Sequence, residues 1–267
     1  MTALPAAQST PRRQALFWVV SDTLAITWRN LLTLVRLPQL VVFSTIQPVI
    51  FVLMFRYVFG GAITVPGVPY VDYLMPGIFV QTVAFGAINT GVGLAEDLHK
   101  GLIERFRSLP MARSAVLAGR TLADLVRDVF VVVLMCIVGF AVGFRVHTNA
   151  FAFLGGMGVL LLFAFAMTWI FAIIGMSTKN AESAQAASFP ILAVLVFASS
   201  AFVPTATMPH WLRVYAEHQP VSVTSSAIRA LVLGGPTASK VLTSLAWSVG
   251  IIAVFAPLAV RRYRRTT

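Results

Sequence analysis

The amino-acid sequence predicts an all-α integral membrane protein with six transmembrane helices, and its composition is the first reason. The chain has 267 residues, of which 58% are hydrophobic and only 11% are charged. A soluble domain ordinarily contains about 25% charged residues. One water-soluble core would have to bury too much apolar side chain, so we expect lipid to surround much of the protein.

The second reason is the presence of six apolar segments, each near the length of about 20 residues that a spanning helix needs. Pro48 lies inside the first segment and Pro190 inside the fifth, and both predict a kink or bend. The predicted spans are residues 40–59, 73–94, 115–144, 151–177, 184–203 and 241–260.

Two further segments have a helical pattern without the composition of a span. In residues 15–36, Asp22, Arg29 and Arg36 recur every seven residues, which predicts an amphipathic helix in the plane of the membrane interface. Residues 204–235 are too polar for a span and too apolar for a solvated loop. We predict two short helices that form a re-entrant hairpin before the last span, although an interfacial segment at the outer rim fits as well.

The distribution of basic residues predicts the orientation. Six spans place both termini on one side, and 15 of the 20 Lys and Arg residues fall on that side. The positive-inside rule then places both termini in the cytoplasm. We expect the membrane to be the plasma membrane. The net charge of +11 therefore reflects basic residues in cytoplasmic loops and gives no reason to expect nucleic acid as a partner.

The densest charge lies between the second and third spans. Apolar residues recur there at helical spacing until Pro110, which predicts a short amphipathic helix over about residues 97–109. Its apolar face would pack on the spans, and its charged face would contact a soluble partner. The residues that we expect to form this contact are Leu102, Ile103, Glu104, Arg105, Phe106 and Arg107.

Polar residues inside the spans are the candidates for a substrate path, namely Gln47, Gln81 and Asn89. Interhelical hydrogen bonding, which contributes about 0.6 kcal/mol on average in membranes, is the interpretation that we favour for them. A second polar set, Arg120, Asp124, Arg127 and Asp128, shares one face at the start of the third span. For this set we favour mutual ion pairs over a proton relay.

The sequence lacks the motifs of an enzyme. The four histidines are scattered over different loops, and GGPTASK at 234–240 lacks the Gly-Lys-Ser/Thr ending of a phosphate-binding loop. With a single cysteine, no cysteine-based metal site is possible. We therefore expect no catalytic residue, no bound cofactor and no metal in this chain.

Residues 101–114, GLIERFRSLPMARS, followed by Gly119 and Arg120, resemble the signature of ABC-2 type transporter permeases, and in particular the daunorubicin/doxorubicin resistance branch. The family pattern is Gly-x-Leu/Ile-Glu-Arg-Leu-Arg-Ser/Thr-x-Pro, with Phe106 here in place of the usual Leu. Met208-Pro209-x-Trp211-Leu212, Pro220 and Arg229 also resemble the segment that follows the fifth span in this family.

The resemblance implies the permease subunit of an exporter for a hydrophobic or amphiphilic drug, antibiotic or lipid. Residues 97–109 would be the coupling helix that docks on a separate ATP-binding cassette ATPase, present in two copies and holding the ATP and Mg²⁺. A second permease subunit would complete a homodimer or a heterodimer. Export of lipid-linked polysaccharide or glycolipid is an alternative, and an ion-coupled transporter without an ATPase is another.

Overall fold

The computed structural model describes residues 12–36, 38–63, 65–100 and 113–266. Within these ranges the chain forms nine α-helices and no β-strand. Two short elements accompany them, a π-helix at Met54–Val58 and a 3-10 helix at Thr205–Thr207. The α-helices are α1 (Arg12–Arg36), α2 (Pro38–Leu53), α3 (Tyr70–His99), α4 (Arg113–Val142), α5 (Ala150–Gly175), α6 (Ala181–Phe197), α7 (His210–His218), α8 (Pro220–Leu233) and α9 (Ala238–Thr266).

Four helices of the described residues are long and apolar enough to cross a membrane. They are α3, α5, and the segments Leu117–Val142 of α4 and Ala238–Tyr263 of α9. Three shorter apolar helices accompany them: Thr45–Val58, α6 and α8. The protein is therefore an all-helical, multi-pass membrane protein, as the composition predicts.

Helix α3 is the centre of the bundle, since it packs against α4, α5, α6 and α8. Leu74, Met75 and Ile78 on its first half are fully enclosed by protein. Farther along, α3 crosses α5 with direct backbone contact, because a Cβ at Gly175 would overlap the carbonyl oxygen of Gly91. Small residues at a crossing allow two helices to approach this closely. The van der Waals contacts that result stabilise the crossing in lipid, where no hydrophobic driving force acts between helices.

Helix α1 packs along α4. Ile26 is buried at this contact, and the Thr27 hydroxyl donates a hydrogen bond of 3.1 Å to the Gly119 carbonyl. The opposite face of α1 exposes large apolar side chains, among them Leu24 and Trp28. Such an exposed apolar face is typical of a helix that lies against lipid.

The segment before the last span folds as two helices, α7 and α8, joined at Gln219. Pro220 is the first residue of α8, where the missing N–H of proline does not interrupt helical hydrogen bonding. The Gln219 side chain accepts a hydrogen bond from the backbone N–H of Val221 and donates one to the Leu195 carbonyl. Helix α8 packs on α3, α5 and α9, so it belongs to the core of the bundle.

Candidate functional site

Polar contacts join α3 to α4 along the half of α3 that ends at His99. Asp97 and Arg120 form an ion pair at 2.6 Å, and one turn deeper the Thr90 hydroxyl donates to Asp124 Oδ2 at 2.5 Å. The Arg120 guanidinium lies over Gly93 and would have to shift if a side chain were added there. The two helices are therefore held together by charge as well as by packing.

The deepest of these contacts involve Arg127. Its guanidinium lies 3.1 Å from Asp124 Oδ1 and 3.1 Å from Asp128 Oδ1, and it donates to the Gly86 carbonyl at 2.9 Å. All three charged residues are at most 8% exposed. We call Thr90, Asp124, Arg127 and Asp128 the Arg127 cluster.

These contacts correct part of the sequence-based prediction for the start of the third span. The predicted ion pairing is confirmed for Arg127, which contacts both aspartates. It is wrong for Arg120, which pairs with Asp97 on α3. The reason is that Asp97 lies on a neighbouring helix, which a pattern read along α4 alone does not reveal.

The three intramembrane polar residues that the sequence singled out lie in different surroundings. Gln81 is buried, and its Oε1 atom has no hydrogen-bond partner within the described ranges. Gln47 and Asn89 are exposed on the surface of the chain. Asn89 is one turn from Phe85, whose ring centroid lies 6.0 Å from that of Phe189 on α6. Contact of Gln47, Gln81 and Asn89 with a substrate stays a prediction.

A second polar group lies near the other end of α3. The guanidinium of Arg229, on α8, donates to the carbonyl oxygens of Tyr73 at 2.8 Å, Ser200 at 2.7 Å and Ala201 at 3.0 Å. It also lies 3.7 Å from the centroid of the Tyr73 ring. We call this arrangement the Arg229 clamp, because it ties α8 to α3 and to the turn after α6.

Asp72 ties the same end of α3 to the connection between α4 and α5. It is 2% exposed, and both of its carboxylate oxygens have partners. Oδ1 accepts from the backbone N–H of Arg145 at 2.9 Å, and Oδ2 lies 2.7 Å from Nε2 of His147. The backbone N–H of His147 donates to the Val232 carbonyl, so this link also reaches α8.

Sequence reasoning assigned no role to Asp72 and mentioned Arg229 only as part of the family resemblance. The sequence did carry a signal for Arg229, because it is the only charged residue of α8. Charged groups in such segments usually face the protein interior and find partners there. Asp72 gave a weaker signal, because it lies just before the predicted span 73–94, where a charged residue is ordinary.

The predicted coupling contact, Leu102 to Arg107, lies outside the described residues. Helix α3 continues through His99, so the first residues of the predicted coupling helix, 97–99, are the last turn of α3. Next to it, Lys100 contacts Glu96 at 2.6 Å, and this hydrogen bond raises the pKa of the exposed Lys100 ammonium.

Comparison with known proteins identifies the family. Residues 21–233 match the family model described as ABC-2 type transporter. The chain belongs to the ABC-2 type transporter family. The match begins within α1 and ends at the last residue of α8, so it includes the Arg127 cluster and the Arg229 clamp as well as the predicted coupling segment. The family resemblance seen in the sequence is thereby confirmed.

Known permeases are similar to between 79% and 100% of the chain. The daunorubicin resistance ABC transporter permease protein DrrB1 of Streptomyces coeruleorubidus is 36% identical over 256 residues, which cover 96% of this chain and 90% of that protein. The probable doxorubicin resistance ABC transporter permease protein DrrC of Mycobacterium tuberculosis is 29% identical over 274 residues, which cover 100% of this chain and 95% of that protein. A putative transport permease, ycf38, of Porphyra purpurea is 24% identical over 219 residues, which cover 79% of this chain and 74% of that protein.

Proposed function

We propose that the chain is the membrane-spanning permease subunit of an ATP-binding cassette exporter that moves a hydrophobic or amphiphilic compound out of the cell. The observation that carries this proposal is the near full-length similarity to permeases named for resistance to daunorubicin and doxorubicin. The multi-pass helical bundle agrees with it. In this proposal, ATP and Mg²⁺ bind to a separate ATPase subunit.

The proposed membrane topology has six spans. To the four long apolar helices we add α2 with its π-helix and α6, both of which are apolar but shorter. Helices α7 and α8 then form the re-entrant hairpin before the last span. Both termini are cytoplasmic in this topology, because 15 of the 20 basic residues share that side.

The proposed assembly contains two ATPase subunits and two permease subunits. The docking loop, which we define as residues 101–112 between α3 and α4, binds the ATPase through Glu104, Arg105 and Arg107 on the charged face of the predicted coupling helix. This loop joins the two helices that the Asp97–Arg120 ion pair and the Arg127 cluster hold together. Movement of the ATPase would therefore displace α3 and α4 as one rigid body.

Charge reversal in this loop tests the proposal. The variants Glu104→Arg and Arg105→Glu should reach the membrane and fold, yet lose most of the co-purifying ATPase or most of the ATP-driven transport. Arg213→Glu is the matched control, since Arg213 is an exposed arginine on α7 and lies outside the docking loop. Unchanged ATPase association and unchanged transport in both loop variants would contradict the coupling role.

A further inference from the structure

Helix α9 carries an open apolar groove along one face. The groove has a volume of about 460 Å³, and its lining side chains recur every three or four residues between Thr243 and Phe255. Trp247 is 41% exposed in this lining, and a Cβ at Gly250 would meet no atom within 4 Å. The Thr243 hydroxyl donates to the Ser239 carbonyl within the helix, so the groove offers its contacts to an apolar ligand.

One end of this groove meets a basic residue. Lys240 lies one turn before Thr243 and shares its face of the helix, because residues three or four apart are neighbours on a helix surface. The same face continues through Trp247, Gly250 and Val254. Lys240 is exposed, and none of the ion pairs within the described ranges includes it. A cation without an anionic partner is therefore in line with an apolar groove.

The length of the groove matches one leaflet of a bilayer. Thr243 and Phe255 are about 18 Å apart along the axis, since an α-helix rises about 1.5 Å per residue. One leaflet contributes half of a hydrocarbon core of about 30 Å, or roughly 15 Å. An acyl chain that starts near the level of Lys240 would therefore follow the groove to its far end. In the proposed topology this end of α9 is extracellular, so the chain would belong to an outer-leaflet lipid.

A second copy of the protein fits this face less well than a lipid does. Two copies in one membrane have the same orientation, so a two-fold contact along α9 would place each residue close to its equivalent. Lys240 would face Lys240, and Arg261, which is exposed at the other end of the helix, would face Arg261. Like charges across an interface are costly, whereas a lipid phosphate balances the charge of Lys240.

We propose that α9 binds one phospholipid of the outer leaflet, with the phosphate at Lys240 and one acyl chain in the groove. The Lys240 ammonium donates hydrogen bonds to the phosphate oxygens, and the chain packs along Trp247 and Val254 over the space at Gly250. An anionic lipid binds more tightly than a zwitterionic one, because Lys240 repels a cationic head group. The site does not depend on what the protein exports, and only the choice of leaflet rests on the proposed topology.

Native mass spectrometry of the purified full-length chain, titrated with lipid in detergent, tests the role of Lys240. The probes are phosphatidylglycerol, which is anionic, and phosphatidylcholine with the same acyl chains. We expect the wild type to bind one phosphatidylglycerol more tightly than those that follow it. Lys240→Gln should weaken this first binding about fivefold, the effect of one basic residue beside lipid head groups, and should weaken phosphatidylcholine binding less. Lys179→Gln is the matched control, since Lys179 is an exposed lysine that follows α5, and it should leave the first binding unchanged.

A second variant tests the groove itself. Gly250→Leu fills the groove without meeting another part of the chain, and leucine favours a helix more than glycine does, so the variant should fold. It should lose the preference for the first lipid, because no acyl chain can then lie along α9. Gly158→Leu is the matched control, since Gly158 is an equally open, exposed glycine on α5, and it should bind lipid like the wild type.

Three outcomes would overturn the inference. The first is an unchanged first binding in both Lys240→Gln and Gly250→Leu. The second is an equal loss in Lys179→Gln and Lys240→Gln, which would show a general attraction of basic residues for anionic lipid. The third is a disulfide between two copies in native membranes through Ala246→Cys, with Cys136→Ala in the same chain, which would show that a second copy covers the groove.

Discussion

Replacing Arg229 by glutamine should destabilise the bundle more than any surface substitution. The guanidinium supplies three hydrogen bonds to backbone carbonyls and a cation–π contact with Tyr73 at 3.7 Å. The Ser200 carbonyl would keep the Tyr73 hydroxyl as a donor, at 3.0 Å, whereas the Ala201 carbonyl has only Arg229 among the described residues. The shorter, neutral glutamine cannot replace this set.

The magnitude follows from the contacts that are lost. An unsatisfied buried carbonyl costs about 1–3 kcal/mol, and a desolvated cation–π contact contributes about 2 kcal/mol. Removal of a buried charge offsets part of this loss. We therefore expect Arg229→Gln to lower the free energy of unfolding by about 3 kcal/mol, measured by unfolding of the purified protein in detergent micelles. Arg213→Gln, which removes an exposed arginine of α7, should change it little. Equal stability of the two variants would refute the clamp.

Three further predictions concern other contacts of the bundle. Gly175→Ala should lower stability by about 1–3 kcal/mol, because the added methyl group overlaps the backbone of α3. Charge reversal of Asp97 or Arg120 alone should impair folding, and the double exchange should restore much of it, since the two side chains form an ion pair at 2.6 Å. The hydrogen bond from Arg213 lowers the pKa of Glu217 below its ordinary value of 4.5. Their contact should therefore persist at neutral pH and weaken as the pH falls through the lowered pKa. An acid titration that compares the wild type with Glu217→Gln measures this dependence.

Each of these three predictions has a control or an outcome that contradicts it. Gly158→Ala, on the same helix as Gly175, meets no atom within 4 Å and should leave stability unchanged or raise it. Failure of the double exchange to recover either single variant would mean that the α3–α4 ion pair does not hold the helices together. Identical acid titrations of wild type and Glu217→Gln would show that the α7 contact contributes nothing.

Local features of the sequence predicted the fold class and one cluster of the site. Long apolar runs separated by charge predicted an all-helical membrane protein. The spacing of Asp124 and Arg127 predicted their ion pair, because residues three apart lie on one face of a helix, whereas Asp128 is the residue next to Arg127. Both predictions depend only on the order of residues within one segment of the chain.

Contacts between distant segments could not be obtained in this way. Arg229 meets Ser200 and Tyr73 only because α8 packs between α3 and the turn after α6. Likewise, Asp97 pairs with Arg120 across the contact between α3 and α4, and no periodicity along either helix encodes this pairing. The residues that we predict to dock on the ATPase are a different case, since their family signature is recognisable in the sequence while their geometry lies outside the described residues.

The measurement that tests the central claim most directly is transport by the purified chain with and without its ATPase. The chain, together with the ATPase and any second permease that co-purify from native membrane, is reconstituted in proteoliposomes and supplied with ATP and Mg²⁺. We predict uptake of an amphiphilic compound that requires both the ATPase and ATP hydrolysis, and no uptake by the permease alone. Uptake driven by a proton gradient in the absence of any ATPase would contradict the account.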